Sequence, residues 1–206
     1  MLFDTLALFS TLIGLILLKR LINIFPSLLA CTIRWKENLN IHNSLKLRSD
    51  RNLLALAMVI PFCLTVYRYD LYVPPFFGPM SEEVKILTIF GIFMTFAILR
   101  AVLSLMLRPR GQSNDTYSAA THSSRTFFII LTLALVAIGG CAGVFDMSAD
   151  DTKNAMLWVS AAIYIIFILR KSQILLSSGS LFASFLYLCA LEILSTGVLI
   201  ASAAIF

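Results

Sequence analysis

Charge is scarce in this sequence. Only 13% of its 206 residues are Asp, Glu, Lys or Arg, against about 25% in soluble domains. That excludes an ordinary water-soluble globule. Catalytic signatures are missing too. There is no nucleotide loop, no G-x-S-x-G and no H-E-x-x-H, which removes the familiar patterns for phosphate cradling, an activated serine and helix-borne zinc. No apolar run carries a pair of carboxylates, and no D-x-x-D pair stands where a membrane prenyl-transfer enzyme needs magnesium. Cysteine is limited to Cys31, Cys63, Cys141 and Cys189. With no C-x-x-C spacing they read as small packing residues, not as metal ligands or disulfides. No basic stretch precedes the first apolar run; Lys19 and Arg20 follow it. This pattern predicts a retained helix with its N-terminus outside, not a cleaved signal peptide.

What is present is apolar length. Hydrophobic residues make up 59% of the chain, and the mean hydropathy is +0.91. Six runs are candidates for crossing a bilayer: 2–18, 52–67, 84–107, 126–145, 155–169 and 181–206. Pro61 lies inside the second and predicts a kink. The expected fold is all-α: a single integral membrane domain over 1–206, a polytopic bundle of about six spans plus one interfacial amphipathic helix at 21–35. In that segment Trp35 is expected at headgroup level; the other reading has it capping the inner helix ends. The stretch 37–50 reads as polar and turn-like, with Ser49-Asp50 as an N-cap for the second span.

The linkers orient the bundle. Twelve Lys and Arg fall in segments 19–51, 108–125 and 170–180, whereas the opposite side holds only Arg68 and Lys153. This is a strong positive-inside bias and predicts both termini outside. The loop 67–80, rich in aromatics and proline, reads as an outer aromatic belt or, alternatively, a docking loop. The polar loop 111–124 reads as mobile. His42 and His122 read as solvated. The acids Asp146, Asp150 and Asp151 read as a solvated outer loop, not a cation site.

Few polar groups enter the spans. Glu192 lies about 16 Å into the sixth run and Arg100 about 10 Å from the inner end of the third, at 1.5 Å per residue. Intramembrane charges are costly and need partners, so an interhelical Glu192–Arg100 pair is expected. The competing arrangement has Arg100 snorkelling to headgroups and Glu192 bonded to a hydroxyl such as Ser160 or Thr132. Gly139-x-x-x-Gly143 and Gly197-x-x-x-Ala201 offer close helix approach, within the bundle or at a homodimer seam.

The run FLYLCALEIL (185–194), with Glu192 in it, carries a resemblance, as do the inside linker around Phe25-Pro26 and the arginine late in the third span. The chain resembles a family of uncharacterised polytopic inner-membrane proteins of Bacteroidota, known as a domain of unknown function. The resemblance implies a bacterial inner membrane and carries no activity. The functional expectation is a non-enzymatic subunit or scaffold in envelope biogenesis. The alternative is a small proton-coupled transporter that uses Glu192 with Arg100. Expected partners are the lipid bilayer, a membrane or periplasmic protein and a second copy of the chain, with no nucleic acid, cofactor or metal.

Overall fold

The computed structural model describes residues 2–71, 81–106, 114–177, 181–193 and 196. All the regular structure among them is helical: α1 (Leu2–Ile33), α2 (Lys36–Asn43), α3 (Leu45–Ala57), α4 (Val59–Arg68), α5 (Glu82–Met106), α6 (Asn114–Val144), α7 (Ala149–Leu176) and α8 (Leu181–Leu188), the last running into a π-helical turn at Cys189–Ile193. Hydrocarbon offers no hydrogen bonds to exposed backbone, so helices are what this composition can sustain. Five helices are long and apolar enough to cross a membrane: Leu2–Ile33, Leu45–Arg68, Glu82–Ser104, Asp115–Val144 and Ala149–Leu176. Only the first part of the sixth expected span lies within the described residues.

The helices run past the boundaries that hydropathy sets. α1 does not stop at Lys19-Arg20. It continues through Pro26 to Ile33, so 21–35 is not a separate interfacial helix. Ile24, Leu28 and Cys31 on this extension are fully buried. Ile24 and Leu28 pack with Leu54 and Ala55 of α3 and Ile129 of α6. Trp35 likewise turns inward, half-buried against Tyr117, Ile174 and Tyr187, with Lys36 over its ring. The burial of these apolar side chains outweighs their affinity for the interface.

The stretch expected to be turn-like forms α2 and the start of α3. The cap is Ser44, whose hydroxyl accepts from the Leu47 amide, and not Ser49-Asp50. Asp50 instead accepts from Arg20 Nη1 at 3.0 Å, tying α3 to α1. The second span does break near Pro61. α3 ends at Ala57 and α4 starts after Met58, and a proline at 61 has no N–H for the Ala57 carbonyl. The expected mobile loop is also corrected. α6 begins at Asn114, so residues 114–124 are helical.

α6 is the hub. It contributes to three apolar clusters, through Tyr117 and Ala120, through Ile129, and through Leu135. Its most extensive packing is with α7. A Cβ on Gly139 would stand 3.2 Å from the Tyr69 hydroxyl and 3.4 Å from the Met156 methyl, whereas one on Gly143 would meet nothing within 4 Å. Only the first glycine of that pair therefore serves internal packing. Gly197 and Ala201 lie outside the described residues. Tyr69 and Tyr67, at the start of the expected belt, are half-buried against the cluster of Cys63, Leu135 and Met156; the rest of that loop, 72–80, lies outside the described residues. At the turn before α7 Ser148 accepts from the Asp151 amide at 3.1 Å and donates to its carboxylate, capping the helix. Asp150 and Asp151 occupy that first turn, where carboxylates complement the helix dipole.

Gly139→Val is expected to lower stability by about 1–3 kcal/mol through overpacking. Gly143→Val should stay within about 0.5 kcal/mol. Thermal melts of the two variants in mild detergent distinguish them. Equal melting temperatures would mean that α6 does not need the close approach at Gly139.

Candidate functional site

Three helical elements converge on one carboxylate. α7 and α8 are joined by a short connection, which makes them antiparallel neighbours, and α5 packs against the π-helical turn. Arg100 of α5 donates from Nη2 to both oxygens of Glu192, at 2.7 Å to Oε1 and 2.6 Å to Oε2. Lys171 of α7 donates from Nζ to Oε1. The side chains of Lys171 and Glu192 are each 1% exposed, and that of Arg100 is 23% exposed. Two cations thus answer one anion in a dry setting, where an unpartnered carboxylate would cost several kcal/mol.

Aromatic rings surround the cations. The Arg100 guanidinium lies 5.5 Å from the Phe167 ring centre. The Lys171 ammonium lies 5.7 Å from Phe167 and 5.2 Å from Tyr187. Ring faces carry negative potential, so they partly offset the excess positive charge. The backbone around Glu192 is satisfied as well. Its carbonyl accepts from the Tyr164 hydroxyl at 2.9 Å and from Thr196 Oγ1, and Tyr164 and Thr196 are bonded to each other. A π-turn disturbs the regular i to i+4 ladder, and Tyr164 supplies a donor at that point.

The structure brings Arg100 and Glu192 together. It does not bring Ser160 or Thr132 to Glu192. Those hydroxyls donate to backbone carbonyls of their own helices, Met156 at 2.7 Å and Phe128 at 2.9 Å. Pro61 and Gly139 lie elsewhere, whereas Trp35 packs on the apolar cluster of Tyr187 and Leu191 beside the site. Lys171 was not anticipated: with the fifth span expected to end at 169, it counted as one of the basic linker residues. In the fold α7 continues to Leu176. Met156, Ser160, Phe167, Lys171, Ile174 and Leu175 are its buried side. That spacing is a helical face, and the apolar Ile174-Leu175-Leu176 after the basic pair is the signal for it. The neighbouring Arg170 stays outside this site and donates to the Thr32 carbonyl at 2.8 Å, linking α7 to α1.

A second polar cluster joins α2, α3 and α6. His42 and His122 are stacked, with ring centres 5.7 Å apart and planes 23° from parallel. His42 is buried and His122 half-buried, so neither is a solvated linker histidine. The last turn of α2 and the N-terminal part of α6 bring them together from distant sequence positions. Burial pushes the pKa of His42 below its ordinary 6.5; Arg48 and Arg51 push the same way and Asp115 opposes them. Among the described residues no group of three or more His, Cys, Asp or Glu is placed to hold a metal ion.

The four cysteines are free thiols; Cys31 and Cys63 are buried, whereas Cys141 is exposed. No protein-family model, curated protein or solved structure matches the chain.

Glu192→Leu leaves Lys171 buried without a counter-charge and is expected to cost about 3–5 kcal/mol. Adding Lys171→Met should recover much of that loss, because the more exposed Arg100 is long enough to turn toward headgroups. A double variant that melts no higher than Glu192→Leu would show that Lys171 and Glu192 are not coupled.

For His42 the lowered folded pKa sets the sign. Well above pH 6.5 both folded and unfolded forms are neutral there. As pH falls through 6.5 the unfolded chain takes up the proton first, and folding weakens until the folded histidine protonates too. The melting temperature should therefore drop between about pH 7 and about pH 5.5, with a smaller drop in His42→Gln. An equal drop in both proteins would assign the pH dependence to other groups.

Proposed function

We propose that the chain is a multi-pass protein of a bacterial inner membrane, with both termini outside the cytoplasm, and that it works as a non-enzymatic subunit or scaffold of the cell envelope. The observation that carries this reading is the clamp on Glu192. Its lysine and carboxylate are 1% exposed and spent on each other, which is how a tie between helices is built. Buried charges of this kind specify which helices meet more than they add net stability. The orientation rests on the placement of Lys and Arg in the linkers. The bacterial inner membrane and the envelope role rest on the family resemblance around FLYLCALEIL.

Outside the clamp, wide apolar surfaces face outward. Leu8, Leu12, Leu15 and Ile16 on α1, and Leu87, Ile98 and Leu99 on α5, are all more than half or close to half exposed. Lipid covers such surfaces, and a membrane partner covers them equally well.

A second reading, a small proton-coupled transporter, draws on two features of the same site. Arg100 is 23% exposed while bonded to Glu192, and π-turns recur at functional positions in helices. In that mechanism Glu192 exchanges a proton as Arg100 or Lys171 moves away.

Purification of the tagged protein in mild detergent, with mass spectrometry of what remains bound, tests the first reading. A stoichiometric membrane or periplasmic protein is the expected result. Recovery of the chain alone, together with a pH-dependent flux in reconstituted vesicles that Glu192→Gln abolishes, would replace the subunit reading with the transporter.

A further inference from the structure

Arg51 is a buried cation without a carboxylate. It is fully buried in α3. Among the described residues its one hydrogen bond is a 3.4 Å contact from Nη2 to the Asn52 side-chain oxygen, and its Nε and Nη1 are buried with no partner. The adjacent acid, Asp50, is turned the other way and taken by Arg20. The charged groups nearest in effect are Arg125 and Arg48, of the same sign. A desolvated guanidinium among like charges is among the costliest arrangements a chain can adopt.

The surroundings are equally unfinished. Asn38 of α2 is fully buried, and both its side-chain oxygen and nitrogen lack partners. His42, one helical turn further along the same face, has its Nδ1 buried and unbonded. The His42 ring lies against that of His122 from α6, and Arg48, Arg51 and Arg125 act on His122 together. The acids near the cluster are Asp115, which acts on His42, and Glu37, which acts on Cys31. Glu37 accepts from Asn40 at 3.2 Å, and neither acid is within ion-pair distance of Arg51. Buried polar groups are rarely left unpaired in native proteins, and a cluster of them needs a reason.

We propose that α2, α3 and α6 form a binding site for a phosphate-type anion at the basic end of the bundle, with Arg51 as its principal ligand and Asn38 Nδ2 as a second donor. A guanidinium presents several N–H groups in a fixed fork that matches phosphate oxygens. Arg48, half-buried, and Arg125, exposed, add to the positive potential around Arg51 and raise the local concentration of anions. The same chemistry serves the phosphate of a lipid headgroup and a free phosphate. The site is separate from the Glu192 clamp and does not depend on how that clamp is read.

The test uses the full chain purified in mild detergent. Melting is followed with inorganic phosphate against chloride at matched ionic strength. In a second arm, the chain is reconstituted in vesicles of phosphatidylcholine with or without phosphatidylglycerol. The variants are Arg51→Gln, Asn38→Leu and, as a control, Lys46→Gln on the exposed face of α3. Arg51→Gln removes an unpaired buried charge, so it is expected to fold and to keep or raise the basal melting temperature.

Stabilisation by phosphate in detergent identifies a free anion as ligand. Stabilisation by phosphatidylglycerol alone identifies a headgroup. Either supports the site if Arg51→Gln weakens the apparent affinity by about tenfold or more, Asn38→Leu weakens it less, and Lys46→Gln leaves it unchanged. No stabilisation in either arm overturns the proposal. So does an equal response in Arg51→Gln and Lys46→Gln.

Discussion

A carboxylate enters hydrocarbon only with company, and Glu192 brings three helices together for that reason. Arg100 comes from α5, Lys171 from α7, and the acid itself from the turn that follows α8. Each element is apolar enough to pack in several registers, because lipid-facing leucines do not distinguish one depth from another. An arginine whose Nη2 spans both carboxylate oxygens and a buried ammonium do. Their bonds fix rotation and depth together, and the cost of breaking either exceeds the small gains available from sliding an apolar surface. The widened turn at Cys189–Ile193 belongs to the same arrangement. Tyr164 and Thr196 bond to the Glu192 carbonyl there.

Hydropathy made the spans legible, and depth arithmetic made Arg100 and Glu192 legible as neighbours. Neither revealed Lys171. The reason is that hydropathy marks where lipid is, and a helix ends where its hydrogen bonds and packing end. α7 continues past Arg170-Lys171 because Ile174 and Leu175 still find a core with Tyr117 and Tyr187. α1 continues past Lys19-Arg20 because Ile24 and Leu28 find Leu54 and Ile129. The same error explains 114–124 and 37–50. These polar stretches are legible as non-lipid and read as loops, yet they fold as the N-terminal turns of α6, as α2 and as the start of α3. The histidine pair could not be read for the same reason. Its members, 80 positions apart, become neighbours only once both stretches are helical.

Charge near the basic end serves two purposes that composition alone cannot separate. Some cations stay exposed, as Lys46 does. Others are spent on partners within the chain. Arg20 closes on Asp50, Arg170 closes on the Thr32 carbonyl, and Lys171 closes on Glu192. Counting them all as linker charge overstates the solvated basic surface. It does not reverse the bias, since the opposite side carries so few bases. Positive-inside counting tolerates such reassignment because it depends on which side a residue belongs to, not on whether the residue is dry.

The two buried cationic clusters differ in where their counter-charge comes from. At Glu192 the chain supplies the anion itself, and ring faces of Phe167 and Tyr187 take up part of the remaining positive charge. At Arg51 the chain turns its neighbouring acid away to Arg20 and places an amide and two imidazoles nearby instead. Had stability been the only demand, an apolar residue at 51 would have avoided burying an unpaired guanidinium, since Asp50, the preceding residue on the helix, faces another way. A fold that leaves a guanidinium dry, oriented and unanswered, while neutralising every other buried charge described, carries the cost that an anion from outside the chain would remove.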